Sequence, residues 1–307
     1  MGAKAVATTP EAGTAQPSAA IEGAEPRQEH RPQSMWRRFA SDRVALGSGI
    51  FLAIVVLAAL LAPLLAPHDP FAGELSDMLK PMGSPGFILG TDGQGRDILS
   101  RLLYGTRLTL IIGVVGVAIG GTLGAFIGLF STYYPALDKF FGRITDIMLS
   151  FPAILFGMAL VAVTGPGVLS VILALAFATV PGVARISRSS GMVVIRQEYM
   201  EAGRAVGLRD GVLIWRYLTL NCISTIFVYL SLRFGQVILL GAVFSFLGLG
   251  AKPPAAELGM MASQGRDYLF MAPHVATIPS LAIFLIVLAF NLLSDSARDV
   301  LDPRLRQ

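Results

Sequence analysis

The segment EYMEAGRAVGLRDGVLIWRYLTLN, Glu198–Asn221, carries Glu198, Glu201, Arg204, Arg209, Asp210 and Arg216. It lies in the second half of a chain that is otherwise strongly apolar. Of 307 residues, 54% are hydrophobic and 14% charged, with a mean hydropathy of +0.66. A soluble domain carries roughly 25% charge. Several runs reach the roughly 20 apolar residues that cross a bilayer. The composition therefore specifies an all-α, multi-pass membrane protein.

Hydropathy places six spans, near 44–66, 108–130, 144–163, 168–183, 225–247 and 275–293. A TGPG turn, Thr164–Gly167, separates the third from the fourth. Six crossings put both termini on one side. With the termini inside, the inner segments (the N-terminal region, 131–143, 184–221 and the C-terminus) hold 17 of the 24 Lys and Arg, and the outer segments 67–107 and 248–274 hold 6. Cytoplasmic loops carry the Lys/Arg excess, so both ends are expected in the cytoplasm. The organisation read from this is a polar tail over 1–33, an anchor and first span over 34–66, and an outer loop over 67–107. A core over 108–295 follows, containing the inner loop 184–221, and then a C-terminus over 296–307. The tail is rich in Ala, Pro, Gly and Glu and lacks an apolar signal region, so disorder is expected there.

The opening segment then lies in a cytoplasmic loop. Its residues favour a helix from about Ser187 to Val206. Glu201 and Arg204 share a face with the acid nearer the N-terminus. Gly203 and Gly207 are four apart and leave one face bare. Gly207 is positioned to end the helix. Asp210 is expected as the N-cap of a second, amphipathic helix with Val212, Trp215 and Leu218 on its apolar side. The pattern describes an element built to be approached by something else; alone it also fits a helix resting on the membrane surface.

Glu201, Ala202, Gly203 and Gly207 resemble the EAA loop of ABC-importer permeases, E-A-A-x-x-x-G followed nine residues later by I-x-L-P. Gly203 stands for the second Ala, and Leu220 for the Pro. Three further segments resemble the dipeptide, oligopeptide and nickel permeases, C-type subunit. These are LGTDGQGRDILSRLLYGTRLTLIIG (Leu89–Gly113), FSFLGLGAKPPAAELGMM (Phe244–Met261) and LAFNLLSDSARDVLDPRLRQ at the end. In Phe244–Met261, Ala256 and Leu258 replace the usual Pro and Trp. The resemblance covers about residues 36 to 307. It implies a type I importer permease fold in the bacterial inner membrane. It also implies a heterodimer with a B-type permease, two ATP-binding subunits holding ATP and Mg, and an external solute-binding protein. In that family the EAA loop couples to the ATPase, which assigns this role to Glu201, Ala202, Gly203, Arg204 and Gly207. The implied cargo is dipeptides or oligopeptides, with nickel, glutathione or another small solute as the alternative. A carrier or channel working without ATP would be marked by intramembrane acids or inverted repeats, and neither stands out.

Gly116, Gly120, Gly124 and Gly128 recur every fourth residue, a pattern for close helix packing. Arg233 falls inside the fifth span, where an ionisable group is costly and marks a pathway or a partner. Gln236 lies one turn further on. Both are candidates to line the pathway. Asp146 is expected to pair with Arg143. Pro152 and Pro181 can bend the third and fourth spans. GQGRD (93–97) and QGRD (264–267) are expected in outer loops accessible to a delivery protein. The chain contains no G-x-x-x-x-G-K-[ST] segment, so ATP binding in this subunit is not expected. His30, His68 and His274 have no metal-ligand spacing, and Cys222 is the single cysteine. No bound metal, cofactor or covalent catalysis is expected in this chain.

Overall fold

A computed structural model describes the backbone of residues 42–301 and side chains through Ser296. The N-terminal tail (1–33) and the last residues of the C-terminal motif lie outside the described residues. The helices are α1 Arg43–Leu60, α2 Ile98–Tyr133, α3 Pro135–Ser150, α4 Ala153–Thr164, α5 Val168–Val194, α6 Glu198–Ala205, α7 Asp210–Phe246, α8 Leu258–Gly265 and α9 His274–Leu301. A single turn, Ala62–Leu65, prolongs α1. Five of these helices are long and apolar enough to cross a membrane: α1, α2, α5, α7 and the His274–Ser296 part of α9. The α3–α4 pair makes a sixth crossing only as a broken one, bent by 93°.

Two features depart from the hydropathy reading. The stretch 144–163 is not one straight span. Pro152 lacks a backbone N–H and sits at the break as the N-cap of α4. The 12 residues of α4 rise only about 18 Å. The second departure is α2, which begins ten residues before the expected span. Asp97 caps it, accepting hydrogen bonds from the backbone N–H of Ser100 at 2.9 Å and of Leu99 at 3.4 Å. At 36 residues, α2 is about 54 Å long.

The crossings alternate in direction. One end gathers Asp42, Tyr133, Val194 and Asp210, and Ser296 donates to the Asp42 carboxylate there at 2.6 Å. The other end gathers Ala66, Ile98, Gly167 and His274. It is closed by a buried charge cluster that sequence reading placed in accessible loops. Arg101 is 1% exposed, Arg96 3% and Asp97 2%. Asp92 takes both guanidinium groups, Arg96 at 2.7 Å and Arg101 at 3.3 Å, and Arg101 also donates to the Pro70 carbonyl at 2.9 Å. Arg96 reaches Gln264, so the two QGRD repeats meet at one small cavity, while Arg266 and Asp267 of the second repeat stay exposed. Glu257, also buried, caps α8 through the N–H groups of Gly259 and Met260 and accepts from Thr109 on α2.

α2 and α5 form the central pair. In lipid there is little hydrophobic drive between helices, so association depends on close van der Waals approach. Gly116 faces Leu175, Gly120 faces Ala176, Gly124 faces Val180, and Gly128 faces Ala184 and Ser187. The four glycines therefore form a ladder within this chain, each rung against the next turn of α5. A Cβ at Gly120 would lie 2.5 Å from the Ala176 carbonyl, and one at Gly124 would lie 2.6 Å from that of Val180. α4 leans on α5 through the stacked rings of Phe156 and Phe177.

Candidate functional site

Helix occupies most of the 184–221 segment. α5 continues to Val194, α6 follows after three residues, and α7 starts at Asp210. α6 has Glu198 and Glu201 in its first turn and Arg204 in its last, each sign favourable to the helix dipole. Its end is a Schellman motif. The Leu208 N–H donates to the Gly203 carbonyl at 3.0 Å and the Gly207 N–H to Arg204 at 3.0 Å. Gly207 takes φ +79°, a left-handed conformation that glycine adopts without steric cost.

The bare face expected from Gly203 and Gly207 does not form. Gly203 is buried against this chain's own Leu213, and a Cβ there would lie 2.8 Å from the leucine methyl. Met200, fully buried, points the same way. The exposed side of α6 is formed instead by Glu198, Glu201, Ala202, Ala205 and Val206, followed by Gly207. Val206 is 82% exposed.

Three contacts fasten α6 and the start of α7 to the end of α2. The Tyr133 hydroxyl donates to Asp210 at 2.7 Å, and the Tyr134 hydroxyl donates to the other carboxylate oxygen at 3.2 Å. The Arg204 guanidinium lies over the Tyr133 ring, 5.6 Å from its centre. Asp210 is thus not the N-cap; Arg209 holds that position with no side-chain bond, and the Asp210 carboxylate serves the two tyrosines. Arg204 faces this ring and makes no ion pair with Glu201 among the described residues. Sequence reasoning missed Tyr133 and Tyr134, which local spacing does not connect to Asp210.

The expected second amphipathic helix is also different. Asp210 opens one helix that runs through a π-helical stretch, Leu213–Thr219, and on without interruption to Phe246. The π turn rotates the register, so Leu213, Ile214 and Leu218 are buried while Val212 and Trp215 are exposed. Leu220 keeps a backbone N–H where a proline would have none, which allows the helix to continue.

Arg233 and Gln236 are joined: the guanidinium donates to the Gln236 side-chain oxygen at 2.7 Å and to the Ala178 carbonyl of α5 at 3.3 Å. Ala178 lies one turn before Pro181, which is inside α5. Arg233 therefore bridges α7 to the proline-bearing turn and pairs with no acid among the described residues. Asp146 pairs with Arg185 of α5 at 3.2 Å rather than with Arg143. Among the described residues, no cluster of His, Cys, Asp and Glu is arranged to hold a metal.

Residues 98–307 match the family described as binding-protein-dependent transport system inner membrane component, and residues 32–81 match the N-terminal transmembrane domain of oligopeptide transport permease C. The chain is 41% identical to the glutathione transport system permease protein GsiD of Pectobacterium atrosepticum, over 89% of this chain and 91% of the relative. It is 39% identical to the Escherichia coli protein of the same name, over 88% and 90%. Among solved structures, it resembles a chain of the inward-facing MetNI methionine ABC transporter with a TM-score of 0.53, at 18% identity, covering 66% of this chain and 97% of that one. A chain of an amino acid ABC transporter solved with histidines gives 0.51 at 20% identity, covering 66% and 94%. These two likenesses concern the fold. A multi-pass helical chain with this architecture and these two matched segments belongs to the binding-protein-dependent inner membrane component family: it is a permease subunit of an ABC importer in the inner membrane.

Proposed function

We propose that α6 is the coupling helix through which a cytoplasmic ATPase drives this permease, and that the cargo is a small peptide. The observation that carries the coupling reading is the construction of α6. It presents an acidic first turn and a glycine-closed end to the exterior. Behind that face it is packed onto α7 and fastened to α2. Glu201 and Ala202 occupy the docking region, Arg204 at its edge braces it against Tyr133, Gly203 seats it on Leu213, and Gly207 gives the turn that returns the chain to α7. The Asp42 end is then the cytoplasmic end. In this reading ATP and Mg are held by two partner ATPases, and a B-type permease completes the pathway. ATP binding closes the ATPases, and α6 passes their motion to α5 and α7, exposing the pathway alternately to either side. Arg233 and Gln236 lie between those two helices as candidates to line it.

Peptide cargo is supported by the match to an oligopeptide permease C segment. Glutathione, itself a short peptide, is the first substrate to test, because two relatives of about 40% identity carry its name.

The experiment is affinity purification of the tagged chain from its own membrane in mild detergent, followed by mass spectrometry and uptake assays, for the wild type and Gly207→Val. The wild type should bring with it a second permease and ATPases with P-loops. The variant should insert normally but recover the ATPases at a severalfold lower yield and lose uptake in proportion, since a β-branched residue at φ +79° costs about 1–2 kcal/mol. Normal ATPase recovery and normal uptake by Gly207→Val would remove the coupling assignment. Uptake of labelled glutathione against a dipeptide, in cells lacking their other carriers, decides the cargo.

A further inference from the structure

α3 follows the Asp42 end of α2 and is turned by 93° from α4. Its sequence divides by face. At 3.6 residues per turn, Leu137, Phe140, Ile144 and Ile147 fall within one arc of about 80°, while Lys139, Arg143 and Asp146 fall within a separate arc of about 60°, with Arg143 flanking Ile147. Phe140 is 61% exposed and Ile147 59%, so these two residues of the apolar arc have little cover from this chain, while Ile144 is half-buried. A helix with cations on one face and large apolar groups on the other rests in the plane of the membrane interface.

Behind the polar arc, between α3, α2 and α5, is a cavity of about 330 Å³. Its lining includes four cations, Lys139, Arg143, Arg185 and Arg188, and two anions, Asp138 and Asp146. The anions are already engaged. Arg188 forks onto Asp138 at 2.5 and 2.8 Å, and Arg185 meets Asp146 at 3.2 Å. Lys139 and Arg143 have neither an ion pair nor a side-chain hydrogen bond among the described residues. Gly142 stands between them in the wall with nothing within 4 Å of where a Cβ would be. The cavity therefore offers two unneutralised cations, room beside a glycine, and an adjoining apolar arc on the same helix.

We propose that this cavity binds the headgroup of an anionic phospholipid, its phosphate held by Lys139 and Arg143 and its acyl chains lying along Phe140 and Ile147. The inference requires only that the chain spans a bilayer and does not depend on the coupling assignment. An interfacial basic pocket between membrane helices has the chemistry for such headgroups.

The test uses the complex, purified with its partner subunits, in nanodiscs of mixed phosphatidylglycerol and phosphatidylethanolamine, with retained lipids measured by native mass spectrometry. The wild type should retain phosphatidylglycerol above its bulk fraction. Lys139→Gln/Arg143→Gln should lower that retention by about 25-fold, roughly fivefold for each cation. Lys139→Arg/Arg143→Lys, with charge preserved, should retain it, and so should Lys252→Gln at the opposite end. Equal retention of both lipids by the wild type would overturn the proposal, as would unchanged retention in the neutral double variant. Binding of inorganic phosphate to the delipidated complex as tightly as the lipid would replace the lipid with a free anion. Full cross-linking of a cysteine at position 139 to the partner permease would show that protein covers the site and would equally overturn it.

Discussion

Asp210 shows how much one carboxylate can be asked to do at the Asp42 end of the molecule. It begins α7, yet its oxygens accept from two phenols at the far end of another helix. The pKa of Tyr134 is raised, first by desolvation and then by the Asp210 charge, so the phenol keeps its proton. Because the folded-state pKa lies above the unfolded one, this contribution is complete below the ordinary phenol range and is lost as pH rises through the raised value. The contact is therefore expected to hold unchanged through pH 6–9, roughly, and to weaken only above about 10. A double-mutant cycle of Tyr133→Phe and Asp210→Asn, read by thermal unfolding in detergent, should give a coupling energy of about 0.5–1.5 kcal/mol. Additive effects would mean the two groups do not bind one another. Gly207 was legible from sequence because a helix-ending glycine acts on its immediate neighbours. The Asp210 partners were not, since 77 and 76 residues separate them from Tyr133 and Tyr134. Local rules offered only the N-cap role for such an Asp.

At the scale of elements, the glycine ladder and the broken crossing behave oppositely. The ladder was readable because its period of four equals the spacing of one helix face, although its partner, α5, was not. Replacing Gly124 with Leu places a branched side chain where Val180 and Ala184 backbone already stands. Overpacking there should cost about 1–3 kcal/mol or more and lower the yield of folded protein on size-exclusion chromatography. Gly47→Ala in α1 is the matched control, since nothing lies within 4 Å of its added Cβ. It should be neutral or slightly stabilising, by about 0.5–1 kcal/mol. If both variants behave alike, the ladder is not a tight interface. The break at Phe151–Pro152 escaped the hydropathy reading for a physical reason. Averaging over 144–163 records how apolar the residues are and discards the direction in which the chain travels. The proline carried the directional information, but a proline within a span is also compatible with a modest kink.

Over the whole molecule, the end that gathers Ile98 and His274 joins a buried charge cluster to a small apolar one built on Ile98, Ala272 and Val275. Asp92 pairs a single carboxylate with two guanidinium groups that are almost wholly out of water. Removing one partner of such a cluster costs far more than the cluster contributes, because the remaining charges stay buried. Asp92→Ala should therefore destabilise the chain by about 3–5 kcal/mol, seen as a large fall in detergent melting temperature. A shift of only a degree or two would show that water reaches Arg96 and Arg101. The sixth expected crossing exists only as the broken α3–α4 pair, while the other five and the alternation of their ends followed from hydropathy, which sums over many residues. The charge cluster did not, because its members lie in segments that hydropathy assigns to solvent.

The ladder between α2 and α5 also has a mechanical consequence. Helices in close contact along four consecutive turns resist sliding and separation, so the pair is expected to move as a single beam. α6 hangs from one tip of that beam by a tether of three residues, Ile195–Gln197, and Asp210 pins the start of α7 to the same tip. A load applied there has almost no slack to take up. For α2 alone, about 54 Å long, a tilt of roughly 10° about one tip would carry the other through about 9 Å. The length of α2 thus sets the reach of such a tilt, and the four glycine contacts are expected to carry α5 along with it.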